Sequence, residues 1–206
     1  MLHTRELDYD ARVTLPAWLA AVVLFLQLPI PLYWFVVHPQ IRFWRRHQKA
    51  AYTAGLLCSW LPVTIAIAVF RRSLFRSSWP SPAALAAGVA LIILEIWVFW
   101  RVDRDLGTAR LVGKTELSGA GEIERGGIYS WVRHPRYTGS LLAILGASIV
   151  AGTWTMWLTA ATWLLLMAVV IALEEREMRT RFGAAYEDYC RRVPRFLPWP
   201  RKSARR

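Results

Sequence analysis

Four stretches of this sequence carry almost no charge, and together they make up nearly half of the chain. Leu15–Val37 and Ala50–Phe70 have no charged side chain over 23 and 21 residues; Pro82–Trp100 has one, Glu95, in 19; Tyr137–Leu173 has none in 37. The helices of a soluble domain show a polar face at every turn, and these stretches show none. Spanning the hydrocarbon core takes about 20 residues of helix, so the first three stretches read as one span each. The fourth suits a tight pair turning at Gly152-Thr153, which gives Tyr137–Ala151 and Thr153–Leu173. The expected fold is therefore an all-α integral membrane protein with about five transmembrane helices, the fourth of them short and tilted or partly buried among its neighbours. Pro29, Pro31 and Pro62 are expected to kink the first two spans.

The rest of the chain is strongly basic. Its 206 residues include 26 Lys and Arg against 14 Asp and Glu, a formal charge of +12, although 55% of residues are hydrophobic. Apolar content of this order excludes disorder, and two distant cysteines, Cys58 and Cys190, exclude a disulfide scaffold. Every Lys and Arg lies outside the four apolar stretches. The surplus therefore sits in juxtamembrane segments, where each cation gains about 1 kcal/mol from anionic lipid. Membrane lipids are the expected partners. Nucleic acid is not, since no helix-turn-helix, zinc knuckle or RNP motif accompanies the charge. No metal is expected, because His3, His38, His47 and His134 have no ligand spacing. A cleavable signal peptide is not expected, because the first apolar run follows Glu6, Asp8 and Asp10 and is longer than a typical signal core.

The segments 38–49, 101–136 and the tail after Leu173 hold four, seven and ten Lys and Arg. The positive-inside rule assigns them to the cytoplasmic side. Arg71, Arg72 and Arg76 then fall on the far side, against the rule. Two unequal parts result: residues 1–100, three N-terminal spans with short loops and little polar chemistry, and residues 101–206, a polar segment, a helical hairpin and a tail that should hold the function.

Three features carry chemistry. Arg133, His134, Pro135, Arg136 and Tyr137 stand just before an apolar helix. Pro135 suits its first turn, and the free N–H groups and positive end of that turn suit an anion or carboxylate. The alternative is a set of interfacial anchors. Glu174-Glu175 follow the fifth span directly, where two acids oppose the helix dipole. A bound cation or the nearby Arg176, Arg179 and Arg181 would explain them. Glu95 is the one intramembrane charge, a functional candidate unless it reaches Arg101. Beyond these, Met178, Phe182, Tyr186, Tyr189 and Val193 recur at helical spacing. They predict an amphipathic cytoplasmic helix on the membrane or on the rest of the protein, ended by Pro194 and followed by an extended Phe196–Pro200. There is no GxGxxG, P-loop or GxSxG.

Two motifs in order, Gly127-Ile-Tyr129-Ser-Trp-Val-Arg133-His134-Pro135-Arg-Tyr137-Thr-Gly139 and, after a hairpin, Glu174-Glu175 with Arg181-Phe182-Gly183-x-x-Tyr186-x-x-Tyr189-x-x-Arg192-Val193-Pro194, resemble the isoprenylcysteine carboxyl methyltransferase family of integral membrane enzymes. The likeness covers roughly residues 95–198. It implies S-adenosyl-L-methionine as methyl donor, in a cytoplasm-facing pocket between the loop before the hairpin and the helix after it. The binding positions it implies are Tyr129, His134, Pro135, Arg136, Tyr137 and Glu174, and more loosely Lys114 and Gly121, Glu122, Ile123 and Glu124. There the family tends to have a His-x-Leu-Val-like stretch, which this chain lacks. Arg133 and Arg192 are the implied cations for an acceptor carboxylate, most simply that of a prenylcysteine. A basic residue of eukaryotic members is replaced by Val170. A thiol or amine acceptor would need a base, for which Glu175 or His134 would serve. Membrane sterol reductases, which resemble NADPH-using enzymes, carry related stretches but lack the acidic pair. A non-enzymatic scaffold explains the spans but not the clustered donors. A bacterial source would place the protein in the inner membrane, a eukaryotic one in the endoplasmic reticulum.

Overall fold

The computed structural model describes residues 14–76, 78–107 and 122–198. These residues form helices and turns, with no strand among them. Ten α-helices follow in order: α1 (Leu15–Gln27), α2 (Pro29–Val37), α3 (Ile41–Arg46), α4 (Gln48–Gly55), α5 (Leu61–Val69), α6 (Arg71–Leu74), α7 (Pro82–Leu106), α8 (Pro135–Ala151), α9 (Trp154–Phe182) and α10 (Ala184–Arg192). Among the described residues, four helical stretches are long and apolar enough to cross a membrane: Leu15–Arg46, Gln48–Val69, Pro82–Leu106 and Trp154–Phe182. The fifth expected span is α8, only 17 residues long. Small residues let its neighbours close over it, and Gly139, Ser140, Ala143, Gly146, Ala147 and Ser148 are all buried.

The prolines act where the sequence places them. Pro29 starts α2 immediately after the break at Leu28. Pro62 cannot donate into the ladder behind it, and the five residues Leu56–Trp60 widen into a π-helical stretch before α5 resumes.

The hairpin turns at the expected residues. Gly152 takes a left-handed conformation (φ 62°, ψ 24°) that closes α8. The Thr153 side chain accepts from the Met156 N–H to start α9. Arg76, one of the cations on the wrong side of the positive-inside rule, donates to the Gly152 carbonyl at 2.8 Å, and Thr153 Oγ1 donates to the Leu74 carbonyl at 2.7 Å. A cation at a helix C-terminus is favoured by the dipole, so Arg76 has a reason to be there that has nothing to do with membrane sidedness.

One expectation about helix ends is corrected. Glu174 and Glu175 do not stand at a C-terminus, because α9 runs on to Phe182. No breaker occurs between Leu173 and Gly183. At Gly183 the backbone turns to φ 51°, ψ −128°, a conformation open to glycine and strained for other residues. The expected tail helix is thus two pieces, the end of α9 and α10.

The two sequence halves pack into one body. Ala20, Val23 and Leu24 of α1 meet Ile92 of α7, Ala143 and Ala147 of α8 and Met156 of α9 in one core cluster. Trp163 of α9 donates its indole N–H to the Gln27 carbonyl at 3.0 Å. Tyr186, Tyr189 and Val193 bury against Ile123, Met178 and Phe182, so α10 rests on the protein.

Candidate active site

The polar loop is held from both sides before it reaches the bundle. Asp105, at the end of α7, accepts from the Ile128 N–H at 2.7 Å. The tail then pairs with it as a short extended contact: Arg133 N–H donates to the Pro194 carbonyl at 2.8 Å and His134 N–H to the Arg195 carbonyl at 3.0 Å. Tyr189 donates its hydroxyl to the Tyr129 carbonyl at 2.7 Å. Burial pushes the Tyr189 and Tyr186 hydroxyls above the ordinary tyrosine range.

Glu175 is the pivot of this frame, with no exposed surface. Its Oε1 accepts from Arg133 Nη2 at 2.9 Å, from His134 Nε2 at 3.1 Å and from Arg195 Nε at 3.0 Å. Its Oε2 accepts from Arg195 Nη2 at 2.6 Å. Arg133 spends its other terminal nitrogen on the Cys190 and Val193 carbonyls at 3.0 and 2.9 Å, which caps α10. The Glu175 carboxylate holds the Arg195 guanidinium firmly protonated.

Beside the frame lies a cavity of about 810 Å³, within the range of small-molecule sites. One wall is polar: Tyr129, Arg133, His134, Pro135, Arg136, Tyr137, Glu95 and Glu174. The other is largely aromatic and aliphatic and comes from the N-terminal spans, among them Leu26, Ile30, Trp34, Tyr52 and Trp60. Within the polar wall, His134 stacks on Tyr137 with ring centroids 5.7 Å apart. Arg136 bonds Ser140 Oγ at 3.1 Å, faces Glu95 Oε1 at 3.5 Å and sits 4.9 Å over the Phe99 ring. Gln27 Nε2 donates to the same Glu95 oxygen at 3.4 Å. Glu95 therefore pairs with Arg136 and Gln27, and Arg101 lies over Trp97 instead.

Three side chains of the lining keep a buried polar atom without a hydrogen-bond partner among the described residues: Arg133 at Nε, Gln27 at Oε1 and Glu174, the one carboxylate of the three. Its Oε2 is shielded from solvent and has no hydrogen-bond partner among the described residues. A buried unpaired carboxylate oxygen costs free energy and marks a place where a donor group or cation would be accepted.

The structure brings together Tyr129, Arg133, His134, Pro135, Arg136, Tyr137 and Glu174 and leaves other candidates outside the cavity. Glu175 lies behind the wall, with both oxygens engaged. Arg192 is on the exposed face of α10, paired with Asp188 one turn away. Ile123 is in the α10 cluster. Glu124 bonds the Arg125 and Gly126 N–H groups of its own turn at 3.1 and 3.0 Å. Glu122 does not line the cavity. Lys114 and Gly121 lie outside the described residues. Arg195, Gln27, His38 and Glu177 were not singled out by sequence. Arg195 directly follows the Val193-Pro194 motif, and Glu177 stands one helical turn after Glu174; those spacings are the signals that could have found them.

Comparisons with known proteins point to methyl-transferring membrane enzymes and to a sterol reductase. The family model for phospholipid methyltransferases matches residues 83–185, half of the chain. A methanethiol S-methyltransferase of Mycobacterium tuberculosis is 33% identical over 75 residues, 36% of this chain and 30% of that protein. A protein-S-isoprenylcysteine O-methyltransferase of Schizosaccharomyces pombe is 34% identical over 74 residues, 35% of this chain and 31% of its own. A Delta(14)-sterol reductase of Mus musculus is 24% identical over 162 residues, 68% of this chain and 36% of that one. The chain thus spans about a third of the length of these curated relatives. No solved structure matches it.

Proposed function

Because this chain belongs to the phospholipid methyltransferase family, we propose that it is a multi-pass membrane enzyme that transfers a methyl group from S-adenosyl-L-methionine to an amphipathic acceptor. The observation that carries this reading is the unpaired Glu174 oxygen beside the Arg133–Tyr137 wall of a cavity of about 810 Å³. The donor is a cationic molecule with a carboxylate end, and the wall offers a partner for each. Glu174 would hold the cationic part. Tyr137 and the free N–H groups at the start of α8 would hold the carboxylate, with His134 stacked on Tyr137 and committed through Nε2 to Glu175. When bound, the donor supplies an electrophilic methyl group on a sulfonium.

The chain's own contribution is positioning and exclusion of water. Glu175 fixes Arg133 and His134 from behind, and Tyr189 and the tail carbonyls fix the loop that carries Tyr129. Arg136, rather than the exposed Arg192, supplies positive charge inside the cavity, restrained by Glu95 and Ser140. The aliphatic and aromatic wall suits an acceptor with an apolar body. A prenylcysteine carboxylate, implied by the motifs, meets that requirement, and so does an apolar thiol. The basic segments support a cavity that opens toward the cytoplasm, in the inner membrane if the source is bacterial and in the endoplasmic reticulum if it is eukaryotic.

Calorimetry on the protein in detergent tests the reading. S-adenosylhomocysteine is expected to bind at micromolar concentration, a range typical of enzymes. Binding of NADPH in its place would support a reductase, the activity named for the mouse relative, and binding of neither would leave a scaffold.

A further inference from the structure

A second carboxylate–histidine pair meets the same cavity from the N-terminal side. His38 directly follows α2, its side chain is almost fully buried, and it lines the cavity. Its ring stacks on Trp34 with centroids 5.1 Å apart and planes at 27°. Nδ1 lies 3.1 Å from Glu177 Oε2. Glu177 is in turn held as a carboxylate by Arg45 Nη2 at 2.5 Å and Arg181 Nη1 at 3.8 Å from Oε1. An ionised carboxylate only accepts hydrogen bonds, so Nδ1 carries the hydrogen. In its neutral form the ring has its lone pair on Nε2, which has no hydrogen-bond partner among the described residues.

The contrast with His134 is chemical. His134 spends its distal nitrogen, Nε2, on Glu175, whereas His38 spends its proximal nitrogen and keeps the distal one. Glu175 has donors on both oxygens. A neutral His134, bonded through Nε2, keeps only the proximal Nδ1 lone pair, next to its own backbone, and Glu175 has no free oxygen; His38 combines a place on the cavity wall with a distal lone pair and a carboxylate to stabilise the charge it would gain.

Building on the methyltransferase reading, we propose that His38, oriented by Glu177, is the catalytic base and that the acceptor is a thiol on an apolar body. A carboxylate acceptor is ionised at neutral pH and leaves such a base idle. An ammonium, near pKa 10.4, holds its proton too tightly for an imidazole near 6.5, while a thiol of cysteine-like acidity, near 8.5, is within reach. In the step, the thiol S–H bond breaks and its proton passes to His38 Nε2. The sulfur electron pair forms the new bond to the methyl carbon. The bond from that carbon to the donor sulfonium breaks, and its electrons return to the donor sulfur. A thioether, S-adenosylhomocysteine and one proton result, the proton leaving His38 to water.

The test compares the full chain with its His38→Gln and Glu177→Gln variants in detergent. It measures methyl transfer from labelled donor to alkanethiols of graded acidity and to a prenylcysteine carboxylate, alongside S-adenosylhomocysteine affinity by calorimetry. His38→Gln is expected to bind S-adenosylhomocysteine as the parent does and to lose about 10²–10³-fold in kcat on an ordinary alkanethiol. That loss should shrink toward nothing as the thiol pKa falls below the assay pH. Glu177→Gln, which keeps an acceptor for Nδ1, should lose about tenfold with the same trend, and it carries the test if His38→Gln does not fold. An undiminished rate, or a deficit constant across thiols, would overturn the base. A parent that binds S-adenosylhomocysteine but methylates only the carboxylate would overturn the thiol while leaving the methyltransferase in place. A parent that binds no S-adenosylhomocysteine overturns the methyltransferase reading, and this proposal with it.

Discussion

Arg195 grips Glu175 with two bonds, Nε to Oε1 at 3.0 Å and Nη2 to Oε2 at 2.6 Å, across a chain separation of 20 residues. The pair ties the segment after α10 to the last third of α9, and the same segment pairs through its carbonyls with Arg133 and His134 of the cavity wall. Its two ends differ in environment: the Glu175 side chain is 1% exposed and the Arg195 side chain 53%. Removing a buried partner that leaves charges uncompensated costs about 3–5 kcal/mol, and Glu175→Ala strands both Arg133 and His134. Removing a half-exposed arginine costs about 1 kcal/mol or less. Unfolding midpoints in mixed detergent should therefore fall steeply for Glu175→Ala and slightly for Arg195→Ala. Equal losses would show that the pair is not the pivot of the frame.

Tyr189 predicts an alkaline weakness in the docked tail. In a released tail its hydroxyl ionises near pH 10. In the docked tail burial raises that value, so the proton stays on. Below about pH 10 both states are neutral and docking is undiminished. Above it the released state gains by ionising and docking weakens as pH rises. Proteolysis within residues 184–198 should accelerate above about pH 10. Tyr189→Phe should lose about 1 kcal/mol of docking at neutral pH, through the bond to Tyr129, and show a shallower alkaline change. A pH-independent cleavage rate would contradict the burial of Tyr189.

How much of this was legible follows from what sets each feature. Spans, the Gly152-Thr153 turn and the breaks at Pro29 and Pro62 come from local chain chemistry, so a charge map and a proline count reached them. The Arg133–Tyr137 segment was legible because so many donors stand in five residues. The division of labour between Glu174 and Glu175 was not legible in the residues themselves; only the family likeness gave Glu174 a binding position. Adjacent residues on a helix point about 100° apart, and only packing decides which one meets the cavity. His38 and Gln27 were invisible for a related reason. Gln27 is a lone uncharged polar residue inside the first apolar run and His38 follows its end, and nothing marks either until α7 and α9 bring Glu95 and Glu177 against them, at separations of 68 and 139 residues.

Glu174 should separate stability from binding. Its Oε2 has no hydrogen-bond partner among the described residues, so Glu174→Gln removes a charge whose buried oxygen no described donor meets. The thermal midpoint should hold or rise slightly. A charge-assisted hydrogen bond contributes about 1.5–3 kcal/mol, so S-adenosylhomocysteine affinity should fall roughly 10–100-fold. A lowered midpoint with unchanged affinity would place Glu174 in the frame rather than in the site.

The approach of α7 to α8 gives the last expectation. A Cβ on Gly88 would lie 2.5 Å from Val150 Cγ2 and 2.7 Å from the Gly146 carbonyl oxygen, and one on Gly146 would lie 2.6 Å from the Gly88 carbonyl oxygen. The two helices meet backbone to backbone, as small residues permit within membranes. A side-chain methyl can rotate away, but a helical carbonyl cannot, so Gly88→Ala must part the helices. Overpacking of this kind costs about 1–3 kcal/mol. The same helices carry Glu95 and Arg136, whose 3.5 Å contact belongs to the cavity wall, with Glu95 two turns along from Gly88. Gly88→Ala should therefore lower both stability and S-adenosylhomocysteine affinity. Gly183→Ala is the control: its positive φ penalises alanine by about 1–3 kcal/mol, but no group of the described residues lies within 4 Å of its Cβ position and it does not line the cavity. It should lower stability alone. If both variants leave affinity intact, the α7–α8 contact supports the bundle without shaping the site.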